Sequence, residues 1–319
     1  MRRGVAVTPM ETRRDVIVRA ARLADELGYE VFSVAEGWGL DSTILLAELA
    51  TVTRQITLSA SVLSIWGRSP ATIAMTAATL HQLTEGRFVL GLGASTRQLA
   101  EGWHDVAYER PAARLRAVTS QVRSLLNGDR AAVSAVPGAR ALRLGQPPVP
   151  ELPIWVAASG GRTIQVAADL ADGWCPLYLR RDRLRELAAG MSEWRGAMRP
   201  ITLAAGPFTI VDQDVTAARA AAAACTAAYL GVMGDVYPRV VAEQGLAAEV
   251  DLVRATRTVP SEAENLLDEF TAHGTPEMVQ ERLRSWDAVV DLTMVGLPPG
   301  LPWPQLEATL HAAAPAYVR

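Results

Sequence analysis

The chain alternates short apolar runs with longer segments in which apolar residues recur every three or four positions. Short runs rich in β-forming residues predict strands, whereas the longer spacing predicts helices that bury one face. Near-continuous apolar strands are typical of a parallel sheet that is covered on both faces. Eight such strands are predicted, over residues 4–8, 30–36, 56–64, 88–94, 153–159, 173–178, 201–211 and 289–297.

Local signals place the ends of the predicted helices. Gly28 is expected to end the first helix, and Asp41 is expected to cap the second through its side chain. Pro70 and Pro111 occupy the first-turn position that proline favours. The predicted helices cover residues 13–27, 42–52, 70–83, 111–127, 163–170, 181–195, 217–228 and 276–286, with a last one beginning near Pro304.

Eight strands separated by helices predict a single α/β domain over residues 1–319, folded as a (β/α)₈ TIM barrel with loop insertions. The alternative is a doubly wound sheet, but the glycine motif at Gly91 and Gly93 continues with Thr96 instead of a third glycine. Residues 129–150 are small, polar and proline-rich, which predicts an insertion with a hairpin at 131–143. Residues 232–270 are expected to form extra helices.

Composition narrows the functional classes. Half of the residues are hydrophobic, and the net charge of −3 gives no electrostatic reason to expect nucleic acid or an anionic membrane as a partner. Two cysteines, no apolar run long enough for a membrane helix and no signal peptide lead us to expect a cytoplasmic protein. All basic residues other than histidine are arginines, so lysine-dependent chemistry is excluded. No cluster of histidines and cysteines has metal-ligand spacing, so we expect no tightly bound metal.

In such barrels the active site lies at the carboxyl ends of the strands. Glu36 follows the second predicted strand, where a carboxylate can orient a ring or transfer a proton. Trp66 follows the third and is a candidate aromatic wall for a substrate. His104 lies in the loop after the fourth. These three residues are our catalytic candidates.

Two glycine-containing segments are candidates for cofactor binding. Glycines at 91 and 93 allow a flat ring or a phosphate to approach the fourth strand closely. Residues 159–163 read SGGRT and precede a helix, whose first N–H groups and dipole favour an anion. The sequence therefore predicts a phosphate site at 159–163.

The combination of motifs resembles the luciferase-like monooxygenase superfamily, and within it the branch that uses the deazaflavin coenzyme F420. The resemblance rests on four stretches, SVLSIWGRSPATIAMTAATLHQLTEGRFVLGLGAS (61–95), EGWHDVAYERPAARLR (101–116), LPIWVAASGGRTIQVAADLADGW (152–174) and HGTPEMVQERLRSW (273–286). It covers nearly the whole chain and is weakest at 129–150 and 212–270.

The resemblance implies a (β/α)₈ barrel, coenzyme F420 as cofactor with FMN as the alternative, and a non-proline cis peptide in a bulge after the third strand. By position this peptide is expected between Ser64 and Ile65. The residues implied to contact the cofactor are Ser64, Ile65, Gly67, Leu92, Gly93, Ala94, Ser95, Arg97, Ser159, Gly160, Gly161, Arg162, Thr163, Leu177 and Arg180.

Some positions depart from relatives. A deazaflavin-dependent sugar-phosphate dehydrogenase branch carries a histidine and a glutamate where this chain has Gly37 and Ala94, which weakens that interpretation. We expect a reductase that transfers hydride from reduced deazaflavin to a C=C or C=N bond of a small organic substrate. The alternatives are an FMN-dependent monooxygenase, supplied by a partner reductase, and a non-catalytic flavin- or deazaflavin-binding protein. A homodimer is usual among relatives and is expected here.

Overall fold

A computed structural model describes residues 1–196 and 199–315. Ten parallel strands form its sheet, and each has hydrogen-bonded neighbours. They are β1 (Arg3–Val7), β2 (Val31–Val34), β3 (Thr57–Ser64), β4 (Phe88–Gly93), β5 (Ile154–Ala157), β6 (Gly173–Trp174), β7 (Thr202–Ala205), β8 (Phe208–Val211), β9 (Thr271–Gly274) and β10 (Leu292–Leu297).

The strands close into a barrel. Strands β1 to β7 pair in chain order, β10 pairs with β7, and β1 pairs with β10 to complete the ring. The predicted (β/α)₈ fold is therefore confirmed. Strands β7 and β8 lie one after the other along β10, so together they occupy the seventh of eight strand positions.

The prediction of one continuous strand over 201–211 is wrong. The strand is interrupted at Gly206 and Pro207, because proline has no N–H for the ladder and the backbone of Gly206 lies against β10. An added Cβ at Gly206 would lie 2.0 Å from the carbonyl oxygen of Met294. Strand β9 was not predicted; it pairs with β8 outside the ring.

Helices surround the barrel, with a kinked turn at Ala242–Leu246, where Gln244 and Gly245 depart from helical geometry, and a 3₁₀ turn at Ser261–Ala263. The α-helices are α1 (Arg14–Glu26), α2 (Ser42–Val52), α3 (Pro70–Leu83), α4 (Arg97–Gly102), α5 (Pro111–Leu126), α6 (Gly161–Leu170), α7 (Arg181–Arg195), α8 (Val215–Gly231), α9 (Val236–Val241), α10 (Ala247–Thr256), α11 (Glu264–Phe270), α12 (Pro276–Asp287) and α13 (Trp303–Ala312).

The predicted helix starts at Asp41, Pro70 and Pro111 are confirmed. The Asp41 carboxylate accepts hydrogen bonds from the N–H groups of Thr43 and Ile44, and both prolines are in the first turn. The short helix α4 was not predicted. Its N-cap is Thr96, whose hydroxyl accepts from the N–H of Leu99.

The intervals 129–150 and 232–270 differ in structure. Residues 129–150 contain neither helix nor strand; a turn at Val136 and the hydrogen bond from Ala131 N–H to the Leu142 oxygen (2.8 Å) fold the interval back on itself without forming the predicted hairpin strands. Residues 232–270 contain α9, α10, α11 and both short turns.

Buried apolar side chains fill the space between strands and helices and also the barrel interior. The interior cluster contains Val31, Val89, Trp155, Ala204, Leu292 and Met294. Because this layer fills the barrel interior, a site in the barrel mouth lies above it, toward the carboxyl ends of the strands.

Among residues 1–196 and 199–315, no single helix is both long and apolar enough to cross a membrane; Val215–Gly231 and Val236–Thr256, bent by 103° between them, meet the criteria only as a pair.

Replacement of Gly206 by alanine tests the contact between β10 and the interrupted strand. We expect Gly206→Ala to lower the free energy of unfolding by about 2 kcal/mol or more, because the methyl group meets backbone that cannot move aside cheaply. Chemical denaturation followed by circular dichroism measures the change. The control is Gly190→Ala in α7, where an added Cβ meets nothing within 4 Å. An unchanged stability of Gly206→Ala would contradict the close approach.

Candidate functional site

A cavity opens at the carboxyl ends of the strands and encloses about 1150 Å³, including its open mouth. Its size suits a cofactor together with a small substrate. It is lined by Ala6, Val7, Thr8, Pro9, Ala35, Glu36, Ser61, Val62, Ser64, Ser95, Thr96, Leu99, Trp155, Ala157, Cys175, Pro176, Leu177, Ala204, Ala205, Gly206, Phe208, Tyr229, Met233, Tyr237, Met294 and Gly296.

A bulge in β3 forms part of the cavity wall. The register between β3 and β4 shifts between Ala60 and Leu63, and the peptide bond between Ser61 and Val62 is cis. The predicted cis bond between Ser64 and Ile65 is therefore wrong by three residues. Ser64 is already paired with Gly93 of β4, so the irregular backbone must precede it.

The glycines of β4 make room for this bulge. An added Cβ at Gly91 would lie 2.2 Å from the carbonyl oxygen of Ala60, and one at Gly93 would lie 2.4 Å from Cγ2 of Val62. The space above these glycines is thus filled by β3. Our interpretation that they admit a cofactor ring directly to the backbone needs this correction: the atoms that face the cavity here are those of Ser61 and Val62.

Glu36 lines the cavity, and both of its carboxylate oxygens are engaged. One accepts a hydrogen bond from the N–H of Ser64 at 2.9 Å, and the other forms an ion pair with Arg68. Arg68 also reaches Asp41 at 3.2 Å. The Glu36 side chain is only 8% exposed. The geometry fits a carboxylate that holds the end of β3 in place.

Trp66 and Ile65 lie outside the cavity lining. The indole N–H of Trp66 donates to the carbonyl oxygen of Ala94 at 2.7 Å, and the ring packs against Tyr108 and under the guanidinium of Arg114. Ile65 is fully buried. The expected role of Trp66 as a substrate-side wall is corrected, because its ring is held within the packing behind β3 and β4.

His104 packs against the backbone of Gly67. An added Cβ on Gly67 would lie 2.6 Å from the imidazole, so this glycine is needed for the contact. Neither residue lines the cavity. Arg97 is exposed and pairs with Glu101 at 2.5 Å. Of the predicted residues around the start of α4, Ser95 alone faces the cavity, whereas Leu92, Gly93 and Ala94 stand behind it.

The predicted phosphate site is the N-terminus of α6. Gly160 is the N-cap and provides no side-chain cap, so the first N–H groups of α6, at Gly161 and Arg162, are not capped by a side chain. Arg162 is exposed and has no ion pair within the described part of the chain. Thr163 donates its hydroxyl hydrogen to the Gly160 carbonyl oxygen at 2.8 Å. The helix begins two residues earlier than predicted, which adds Gly161 and Arg162 to its first turn.

Ser159 and Leu177 connect the loop before α6 to the cavity, whose lining includes Leu177 but none of residues 159–163. The Ser159 hydroxyl donates to the Leu177 oxygen at 2.9 Å, and Leu177 lines the cavity. Arg180, at the start of α7, is held by Gln244, whose side-chain oxygen accepts from the Arg180 N–H at 2.8 Å. Its guanidinium also pairs with Asp182, although its Nε is buried without a partner in the described residues.

Several lining residues were not predicted. Thr8 directly follows β1. Glu36 was selected because it is a polar residue at the carboxyl end of a strand, and the same criterion would have selected Thr8. Tyr229 and Tyr237 come from the alanine-rich α8 and the short α9, neither of which carries a motif. Cys175 follows β6 and lies beside Ser61. Burial raises the pKa of its thiol to about 12, so it is protonated at neutral pH and is a poor nucleophile.

Gly37 leaves no room for the histidine of the sugar-phosphate dehydrogenase branch. An added Cβ at this position would lie 2.7 Å from Cβ of Pro9. The departure noted in the sequence is thus a packing requirement of this chain, and a proton relay through position 37 is not available.

Comparison with known proteins identifies relatives. A family model described as luciferase-like monooxygenase matches residues 1–291. A putative coenzyme F420-dependent oxidoreductase of Mycobacterium tuberculosis is 28% identical over 310 residues, which cover 85% of this chain and 87% of the relative. A phthiodiolone/phenolphthiodiolone dimycocerosates ketoreductase of Mycobacterium bovis is 32% identical over 245 residues, which cover 69% of this chain and 63% of the relative.

The barrel also resembles a solved structure. The coenzyme F420-dependent tetrahydromethanopterin reductase of Methanopyrus kandleri superposes with a TM-score of 0.75 at 18% identity, covering 98% of this chain and 97% of that one. At this identity the likeness supports the fold alone.

The fit between Val62 and Gly93 can be tested by a double-mutant cycle. We expect Gly93→Ala to lower the free energy of unfolding by about 1–3 kcal/mol through overpacking. Val62→Ala in the same protein should recover most of this loss, because the 2.4 Å overlap with Cγ2 of Val62 disappears and the remaining neighbours, Cβ of Val62 at 3.5 Å and Cβ of Ala157 at 3.6 Å, are in ordinary contact with the new methyl group. Denaturant unfolding of all four proteins gives the coupling.

Gly102→Ala is the control for this cycle, since its added Cβ meets nothing within 4 Å. Strictly additive losses in the double variant would show that Gly93 is not there to accommodate the bulge.

Proposed function

The chain belongs to the luciferase-like monooxygenase family, and we propose that it is a deazaflavin-dependent reductase that transfers hydride from reduced coenzyme F420 to a C=C or C=N bond of a small organic substrate. Its relatives are F420-dependent oxidoreductases and luciferase-like monooxygenases, so the chain is an oxidoreductase. This weighs against the non-catalytic alternative. One relative is named a ketoreductase, which adds C=O to the candidate bonds.

The observation that carries the proposal is the uncapped N-terminus of α6 beside a large cavity. Gly160 and Gly161 leave the first N–H groups of the helix accessible, and Arg162 adds an exposed guanidinium. Helix N-termini of this kind bind phosphate groups. Leu177, which is hydrogen-bonded to Ser159 in the same loop, lines the cavity. The residues present therefore fit a cofactor that has a phosphate at one end and a flat ring at the other.

Under this proposal the chain binds, orients and shields the cofactor. Residues Ser159 to Thr163 would hold the phosphate, while Ser61 and Val62 would support the ring from the β3 side. The bound deazaflavin would supply the hydride chemistry. Glu36 would keep the end of β3 in position through Ser64 and Arg68. The mostly apolar lining would keep water away from the reacting atoms.

A binding titration distinguishes coenzyme F420 from FMN. We expect oxidised deazaflavin to bind the purified protein at least about tenfold more tightly than FMN, measured by fluorescence in parallel titrations. The reverse preference would favour the oxygen-dependent monooxygenase, which consumption of O₂ with free reduced flavin would then test. Binding of neither would mean that the α6 site does not bind phosphate.

Glu36→Gln and Arg68→Gln test whether Glu36 contributes to turnover by holding β3 in place or by transferring a proton itself. If the ion pair orients β3, both variants should lower turnover by roughly tenfold, equivalent to about 1.4 kcal/mol, and leave deazaflavin affinity nearly unchanged. Turnover is followed as the oxidation of reduced deazaflavin by an unsaturated acceptor. Arg183→Gln, which breaks the exposed pair with Glu186, is the control. A loss in Glu36→Gln alone would instead assign direct proton transfer to the carboxylate.

A further inference from the structure

The cavity contains one charged side chain among the residues that line it, Glu36. Its charge is already balanced by Arg68. No arginine or histidine of the described chain lines the cavity. An anionic substrate group would therefore lose its hydration without gaining a counter-ion, and it would approach a carboxylate. Burial of an unpaired charge is strongly unfavourable, so the lining of this cavity disfavours an anionic substrate group.

One polar side chain in the lining lacks a partner. Thr8 lies directly after β1 and is 6% exposed, and its hydroxyl has no hydrogen-bond partner in the described part of the chain. A buried hydroxyl without a partner is costly and uncommon. Because Thr8 lines the cavity, a ligand can provide the missing hydrogen bond.

Tyr229 of α8 lies beside Thr8. Burial raises the pKa of Tyr229 well above its usual value, while the nearby Thr8 hydroxyl acts in the opposite direction. No hydrogen bond of normal geometry joins the two hydroxyls. The Tyr229 ring is held by Phe208 at 5.0 Å and Tyr237 at 5.5 Å between ring centroids. Its phenol is thus neutral and fixed in place.

The Thr8 and Tyr229 hydroxyls lie on the opposite side of the barrel from the predicted phosphate site at 159–163. Thr8 follows β1, whereas α6 follows β5, and four strand positions separate β1 from β5 in the ring of eight. Tyr229 belongs to the helix after β8, which is next to β10 and therefore on the β1 side. The apolar side chains of Phe208, Met233 and Tyr237 also line the cavity.

We propose that the Thr8 and Tyr229 hydroxyls bind the polar group of the substrate, and that the substrate is an uncharged molecule with an apolar body and a hydrogen-bond acceptor, such as an unsaturated ketone. Both hydroxyls donate to the same oxygen or nitrogen, and the apolar body packs against Phe208, Met233 and Tyr237. This inference rests on the proposed reductase function, because it identifies the second molecule that shares the cavity.

The test compares two probes that share a skeleton and differ in charge. Benzylideneacetone is an uncharged unsaturated ketone, and cinnamate carries a carboxylate in place of its acetyl group. Isothermal titration calorimetry measures the binding of each, with and without saturating oxidised deazaflavin. We expect benzylideneacetone to bind at least about tenfold more tightly than cinnamate, because the carboxylate finds no counter-ion.

Thr8→Val and Tyr229→Phe remove the two hydroxyls with little change of shape. Each should weaken benzylideneacetone binding by about five- to thirtyfold, the usual effect of losing a buried hydrogen bond. The matched controls are Thr226→Val and Tyr178→Phe, since these hydroxyls, like that of Thr8, are buried without a partner among the described residues but do not line this cavity. Both controls should bind the ketone within twofold of the unmodified protein.

Three results would overturn the inference. They are equal or tighter binding of cinnamate, unchanged ketone binding in Thr8→Val and Tyr229→Phe, and no ketone binding by the unmodified protein up to the solubility limit of the probe. Failure of the cofactor proposal can be distinguished from failure of this inference. If deazaflavin does not bind but ketone binding still depends on Thr8 and Tyr229, the substrate site stands and the cofactor assignment falls.

Discussion

The candidate site depends on how β3 packs against β4. Strand β3 carries two residues, Ser61 and Val62, that have no partners in the ladder, and these project between the barrel wall and the cavity. Gly91 and Gly93 permit this because any larger residue would overlap the backbone of Ala60 or the side chain of Val62. Because protein interiors are closely packed, even one added methyl group at these glycines is expected to destabilise the fold. The bulge in β3 therefore requires glycines at the facing positions of β4.

The same bulge explains the arrangement of the polar groups near it. After the bulge, pairing with β4 resumes at Leu63 and Ser64. The Ser64 N–H donates to Glu36, which in turn pairs with Arg68 on the following loop. On the other side, Ser61 meets the half-buried thiol of Cys175. Glu36 thus lies at the end of a strand, as the sequence suggested. Its contacts are those of a residue that holds the backbone of β3 in place.

Elements set by local chemistry could be predicted from the sequence, whereas features set by contacts between distant residues could not. The helix starts at Asp41, Pro70 and Pro111 depend on neighbouring residues and were correct. The interruption at Gly206 depends on Met294, nearly ninety positions later, and the cis bond depends on the register between two strands. For the same reason Glu36, Ser64, Ser95 and Leu177 proved to face the cavity, while Trp66 and His104 did not. Side-chain direction at a strand end follows from packing that a single sequence does not display.

Charge divides the cavity region into two parts. The chain has many arginines, and those near its mouth are engaged elsewhere, Arg68 with Glu36, Arg97 with Glu101 and Arg180 with Asp182. The first turn of α6, with the exposed Arg162, is the region best placed to attract an anion. The opposite side offers neutral hydroxyls and aromatic rings. A ligand with an anionic end and a flat ring can lie along the first part, and a neutral molecule is favoured against the second. Under the proposed function, this difference in charge would help to orient the cofactor and the substrate relative to each other.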